Sequence, residues 1–90
     1  MIWKNGGNEM RLSQHNTILK AMLENKNKRT WEATDFQSGK YFVGYEASAR
    51  MSELVKMYPG LFIVGRKDRF RTLEINWEYE DLDLIKKIVE

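Results

Sequence analysis

Residues 45–77 read YEASARMSELVKMYPGLFIVGRKDRFRTLEINW, and a change of hydrophobic period inside this stretch decides the fold. Ala47, Met51, Leu54 and Tyr58 recur at i, i+4, i+7 and i+11, the spacing of one helix face, so a helix is expected over Tyr45–Tyr58. Glu46 falls in its first turn, where the helix dipole favours an anion. Pro59-Gly60 ends it, because proline cannot continue the hydrogen-bond ladder and glycine accepts the conformation of a helix stop. The period then changes. Leu61–Gly65 is a short apolar strand and Arg66-Lys67-Asp68-Arg69 a polar turn. Phe70–Trp77 alternates, with Leu73, Ile75 and Trp77 on one face and Thr72, Glu74 and Asn76 on the other. Two strands about a basic turn make a β-hairpin.

Upstream, Ser13 or Asn16 can cap a first helix whose apolar stripe is Ile18, Leu19, Met22 and Leu23. The polar run Asn25–Arg29 ends it, with cations suited to a helix C-terminus. Thr30–Gln37 reads as a second helix of about two turns, anchored by Trp31 and Phe36 and stopped by Ser38-Gly39-Lys40. Residues 41–44 form an apolar connector that is expected to pack down. Downstream, Asp81 can cap a last helix over residues 80–89 carrying Leu82, Ile85, Ile88 and Val89. Residues 1–12, with Gly6-Gly7-Asn8 and no periodicity, are expected to form a flexible arm, and residues 13–90 a single domain. The fold class is therefore α+β, mostly α, with three helices, a hairpin and a C-terminal helix.

Composition narrows the function classes. Ninety residues hold one domain, and 42% hydrophobic with 31% charged residues is a globular balance. There is no cysteine, which excludes disulfides, thiolate nucleophiles and cysteine-based zinc sites and accords with a cytoplasmic setting. Leu61-Phe62-Ile63-Val64 is the longest apolar run, so no membrane span and no secretory leader are expected. The net charge of +2 conceals an asymmetry: residues 1–72 carry net +6 and residues 73–90 net −4. A basic body attracts polyanions. His15, the sole histidine, has no visible partner for metal or nucleophilic chemistry and is expected to be a surface residue. Glu78, Glu80, Asp81 and Asp83 lack the glycine and spacing of a calcium loop. No catalytic, cofactor or metal set is expected, and the reading is of a binding protein and not an enzyme.

The segment Gly44–Leu54, followed by Tyr58-Pro59, resembles the A-x-A-R-x-S-E-L stretch in winged helix-turn-helix domains of bacteriophage and prophage proteins. The likeness covers Thr17–Trp77. It implies that the third helix lies in the major groove of duplex DNA and that the hairpin, as the wing, touches the neighbouring backbone. A small cytoplasmic regulator or accessory factor of phage type is the role it suggests.

The residues support this independently. Opposite the apolar stripe of the third helix stand Tyr45, Ser48, Ala49, Ser52, Glu53 and Lys56, and the small residues among them would let a helix approach a groove about 12 Å wide. The hairpin supplies Arg66, Lys67, Arg69 and Arg71 within six residues, a cluster suited to phosphate contacts. Arg50 flanks the stripe as a phosphate clamp or as the partner of an acid such as Glu46, Glu53 or Asp35. Two readings stay open elsewhere. Leu82, Ile85, Ile88 and Val89 can cover the domain's own core or form a homodimer seam. The acidic tail, Glu46 and Glu53, and the aromatics Trp3, Tyr41 and Tyr45 keep a protein partner in view.

Overall fold

A computed structural model describes residues 13–89. The expected arm and Trp3 lie outside the described residues. Helix α1 spans Gln14–Glu24, a single turn of 3₁₀ helix Ala33–Phe36, helix α2 Ala47–Met57, strands β1 Phe62–Lys67 and β2 Phe70–Ile75, and helix α3 Leu82–Ile88. The architecture is a small α+β unit, mostly helical, with one two-stranded antiparallel hairpin. None of the described helices is long and apolar enough to cross a membrane.

Ser13 caps α1, its hydroxyl accepting from Asn16 N at 3.1 Å. At the other end Asn25 Nδ2 donates to Ala21 O at 2.7 Å, occupying one of the carbonyls a helix end leaves unpaired. The stripe foreseen for α1, Ile18, Leu19, Met22 and Leu23, is buried in full. It packs with Phe36, Ala47, Met51, Leu54, Leu61 and Leu73 into one continuous core, which Leu82, Ile85 and Val89 of the C-terminal segment close.

The expected two-turn second helix is a correction. Trp31 is extended: its N–H donates to Leu73 O at 2.8 Å and its carbonyl accepts from Leu73 N at 2.9 Å. Those bonds consume the backbone groups a helix would need, so only the four residues Ala33–Phe36 turn. The same bridge joins the free edge of β2 to the helical body. Trp31 then stacks on Phe36, ring centroids 5.2 Å apart and 16° from parallel, so both rings are anchors as expected. The connector packs only in part: Val43 is buried, while Phe42 is 64% exposed.

The hairpin boundaries also move. Arg66 and Lys67 extend β1, and the turn is only Asp68-Arg69, because Lys67 pairs with Phe70. Asp68 makes this tight turn with φ of 58°, in the left-handed region that Asp tolerates better than most side chains. At the base, Asn76 N donates to Leu61 O, and Glu78 N donates to Asn76 Oδ1, turning the chain away. Trp77 therefore leaves the strand and stays 39% exposed beneath Lys26. Asp81 precedes α3 but its side chain makes no cap bond. Leu82, Ile85 and Val89 are buried in the chain's own core and only Ile88 of that stripe is exposed, so the four do not form a free dimer seam.

Candidate nucleic-acid interface

The residues singled out on the third helix and on the hairpin belong to segments joined by the break at Pro59-Gly60. Gly60 takes a φ of 91°, which a side chain would strain, and its carbonyl accepts from Asn76 Nδ2 at 3.0 Å. The chain thus turns after α2, and the hairpin that follows meets the helix through Arg71 and Ser52. Ser48 and Ser52 of α2 and Arg66, Arg69 and Arg71 of the hairpin line one open groove of about 410 Å³, together with Gln37, which caps the 3₁₀ turn. Its remaining walls are Ala33, Thr34, Met51 and Phe70, so no carboxylate lines it.

The strand register fixes the arginines. Arg66 and Arg71 are direct partners across the hairpin and so point to the same face. Like charges directly opposite each other are unfavourable in a sheet, which concentrates positive potential there. Arg71 Nη1 donates to Ser52 Oγ and ties the hairpin to α2. Lys67 is exposed but shares the other face with Thr72. Tyr45, Ala49 and Lys56 are exposed on or beside α2 without lining the groove, Tyr45 at 96%.

Charge pairing separates these cations from Lys28, Arg29 and Arg50. Arg29 Nε donates to Glu74 Oε2 at 2.8 Å, and that carboxylate holds the guanidinium pKa above its usual value. Lys28 Nζ lies 3.3 Å from Asp35 Oδ1. Arg50 Nε lies 3.2 Å from Glu53 Oε1 without hydrogen-bond alignment, which is the ion-pair arrangement of the two left open for it, and Arg50 does not line the groove. His15 Nε2 is 2.7 Å from the same Glu53 oxygen, so the histidine links α1 to α2. Among the described residues, Arg66, Lys67, Arg69 and Arg71 have no carboxylate within ion-pair distance.

Gln37 and Thr34 were not foreseen as site residues, and nothing in the sequence marks them, since the packing of the 3₁₀ turn brings them to the groove. Phe70 had a legible cue: an exposed aromatic between two arginines on a strand. A larger groove between α1 and the connector has both Lys20 and Lys40 and the acid Glu24 on its walls, so it lacks the single-sign character of the basic groove.

Asp68 is the one acid within the hairpin's basic cluster. Asn tolerates its left-handed backbone as well as Asp does. Asp68→Asn is therefore expected to leave the melting temperature within about 2 °C and to tighten binding of a polyanion by about two- to fivefold at low salt. Both are read by thermal denaturation and a heparin or duplex titration, and weakened binding would contradict this arrangement of charge.

No family model matches the chain, and neither a curated protein nor a solved structure matches it.

Proposed function

We propose that this protein binds double-stranded DNA as a winged helix module, with α2 as the helix presented to the major groove and the β1–β2 hairpin as the wing. The observation that carries the reading is the groove in which two serines of α2 face three arginines of the hairpin, with no carboxylate on its walls. The serines keep the helix surface low, and the arginines supply phosphate contacts. Of the two acids that weigh against DNA, Glu46 is the N-cap residue of α2, and Glu53, on the exposed side of the helix, lies roughly 80° from the centre of the Tyr45, Ser48, Ala49, Ser52 and Lys56 positions by the 100° step per residue. Glu53 is moreover held by His15 and Arg50. A small cytoplasmic regulator or accessory factor of phage type is the role that fits this reading.

The test is a fluorescence titration of labelled random-sequence duplex across ionic strength. If Arg66, Lys67, Arg69 and Arg71 each engage a phosphate, log K should fall against log salt with a slope near −3.6, at roughly −0.9 per contact. No binding at low salt would end the proposal.

A protein partner is the second reading, and one observation favours it. Phe42 and Tyr45 stand exposed at the entry to α2, outside the basic groove. A partner captured from nuclease-treated lysate and lost on Phe42→Ser/Tyr45→Ser would support it.

A further inference from the structure

The two-residue turn makes Lys67 and Phe70 a hydrogen-bonded pair, and antiparallel pairing alternates along the hairpin. Gly65 with Thr72 and Ile63 with Glu74 are therefore hydrogen-bonded pairs as well. The backbone N–H and carbonyl groups of Phe62, Val64 and Arg66 then turn away from β2. The same alternation turns those of Leu73 outward on the opposite edge, where Trp31 bonds to both. The β1 edge has no such cover. Among the described residues, no backbone bond from another segment reaches Phe62, Val64 or Arg66. Exposed edges are ordinarily blunted by proline, a bulge or charge. Here neither proline nor a bulge interrupts the strand. The charges, Arg66 and Lys67, stand only at the end beside the turn, and Ile63 and Val64 before them are half-exposed.

We infer that β1 pairs antiparallel with β1 of a second copy, about a two-fold axis at Val64, so that two hairpins join into one continuous sheet. The strand is complementary to itself in this register. Val64 lies opposite its own copy and Phe62 opposite Arg66, so every outward N–H and carbonyl finds a partner. Ile63 lies opposite Gly65, whose missing side chain leaves it room, and Lys67 opposite Leu61. No like charges are opposed. The neighbouring registers are poorer. Centred on Ile63, the pairing sets Arg66 against Gly60, outside the strand. Centred on Gly65, it sets Phe62 against Asp68 in the turn. The inference does not depend on the duplex-binding reading. The contact is small, so a Kd on the order of 10–100 μM is expected.

Sedimentation velocity of the whole chain across that range should show monomer giving way to dimer. Val64→Pro removes an outward N–H and spares the bonds to β2, and Val64→Lys sets like charges at the axis. Each should raise the Kd by at least about tenfold, with thermal denaturation confirming the fold. The register is read by cysteine, which the chain lacks. Opposed Val64 residues stand about 5.5 Å apart at Cα, within reach of a disulfide. The two Lys67 residues stand roughly 20 Å apart, at about 3.3 Å per residue. Under mild oxidation Val64→Cys should cross-link into dimers and Lys67→Cys should not. The inference is overturned if the chain stays monomeric throughout, if the dimer survives Val64→Lys, or if Lys67→Cys cross-links as readily as Val64→Cys.

Discussion

Arg66→Ala/Arg69→Ala/Arg71→Ala is expected to weaken duplex binding by two to three orders of magnitude at about 0.1 M salt. The size follows from counterion release. Each lost phosphate contact removes roughly 0.9 from the slope of log K against log salt, so three remove about 2.7. If the contacts contribute nothing at about 1 M salt, the same figure is the loss in decades at a tenfold lower concentration. The fold should survive, because all three side chains are exposed and only Arg71 makes a side-chain bond, to Ser52. Indeed the mutual repulsion of Arg66 and Arg71 across the strands disappears with them. A charge-matched control removes Lys26, Lys40 and Lys87, which are exposed but line no part of the groove. It should cost well under tenfold, since exposed charges beyond a Debye length of about 10 Å are largely screened. Equal losses in the two triple variants would mean that net charge binds DNA and that the groove does not.

Much of this site was legible in the sequence because it depends on local spacing. The i, i+4, i+7 stripe of α2 defines which of its side chains point away from the core, and the break at Pro59-Gly60 marks where the hairpin begins. Ser48 and Ser52 are named on the first basis and Arg66, Arg69 and Arg71 on their clustering within six residues, and the fold brings all five to one groove. The extra parity of Arg66 and Lys67 was not legible. The apolar run ends at Val64 and the strand is expected to stop at Gly65, whereas a two-residue turn made possible by Asp68 lets it continue to Lys67. This places Lys67 on the opposite face from Arg66. The pairing of His15 and Arg50 on Glu53 spans α1 and α2 and leaves no trace in local pattern.

The stretch between α1 and α2 shows where pattern reasoning stops. Thr30–Gln37 contains two aromatics five residues apart and no breaker, which suits a short helix. What decides otherwise is a partner 42 positions away, Leu73, whose N–H and carbonyl both bond to Trp31. A reciprocal backbone pair of this kind rewards extension at Trp31 and leaves too few residues for more than a 3₁₀ turn. The C-terminal stripe met a similar limit: periodicity shows that Leu82, Ile85, Ile88 and Val89 share a side of a helix, but not whose core they enter. Three of them enter this chain's own.

Phe36→Ala is expected to be the most damaging single change to stability, costing about 3–5 kcal/mol. The side chain is fully buried and stacked on Trp31, and removing a buried aromatic leaves a cavity that the neighbouring rings and helices fill only in part. The residue also does something its side chain alone does not reveal. Its carbonyl accepts from both Val43 N at 2.7 Å and Gly44 N at 2.9 Å, which fixes the connector that starts α2. A phenyl ring locked in the core thereby sets where the helix of the proposed site begins. For a domain of this size each kcal/mol moves the melting temperature by about 4–8 °C, so a fall of roughly 12–40 °C is expected, and the unfolded population becomes appreciable at 37 °C. Phe36→Leu keeps most of the volume while losing the stack and should cost only about 1–2 kcal/mol. The pair is read by thermal denaturation followed by duplex titration at a temperature where both variants are folded. There Phe36→Leu should bind like the parent, because Leu keeps the backbone carbonyl that positions α2. A melting temperature within about 5 °C of the parent for Phe36→Ala would show that the 3₁₀ turn is not packed as described, and with it the placement of Gln37 and Thr34 at the groove would fall.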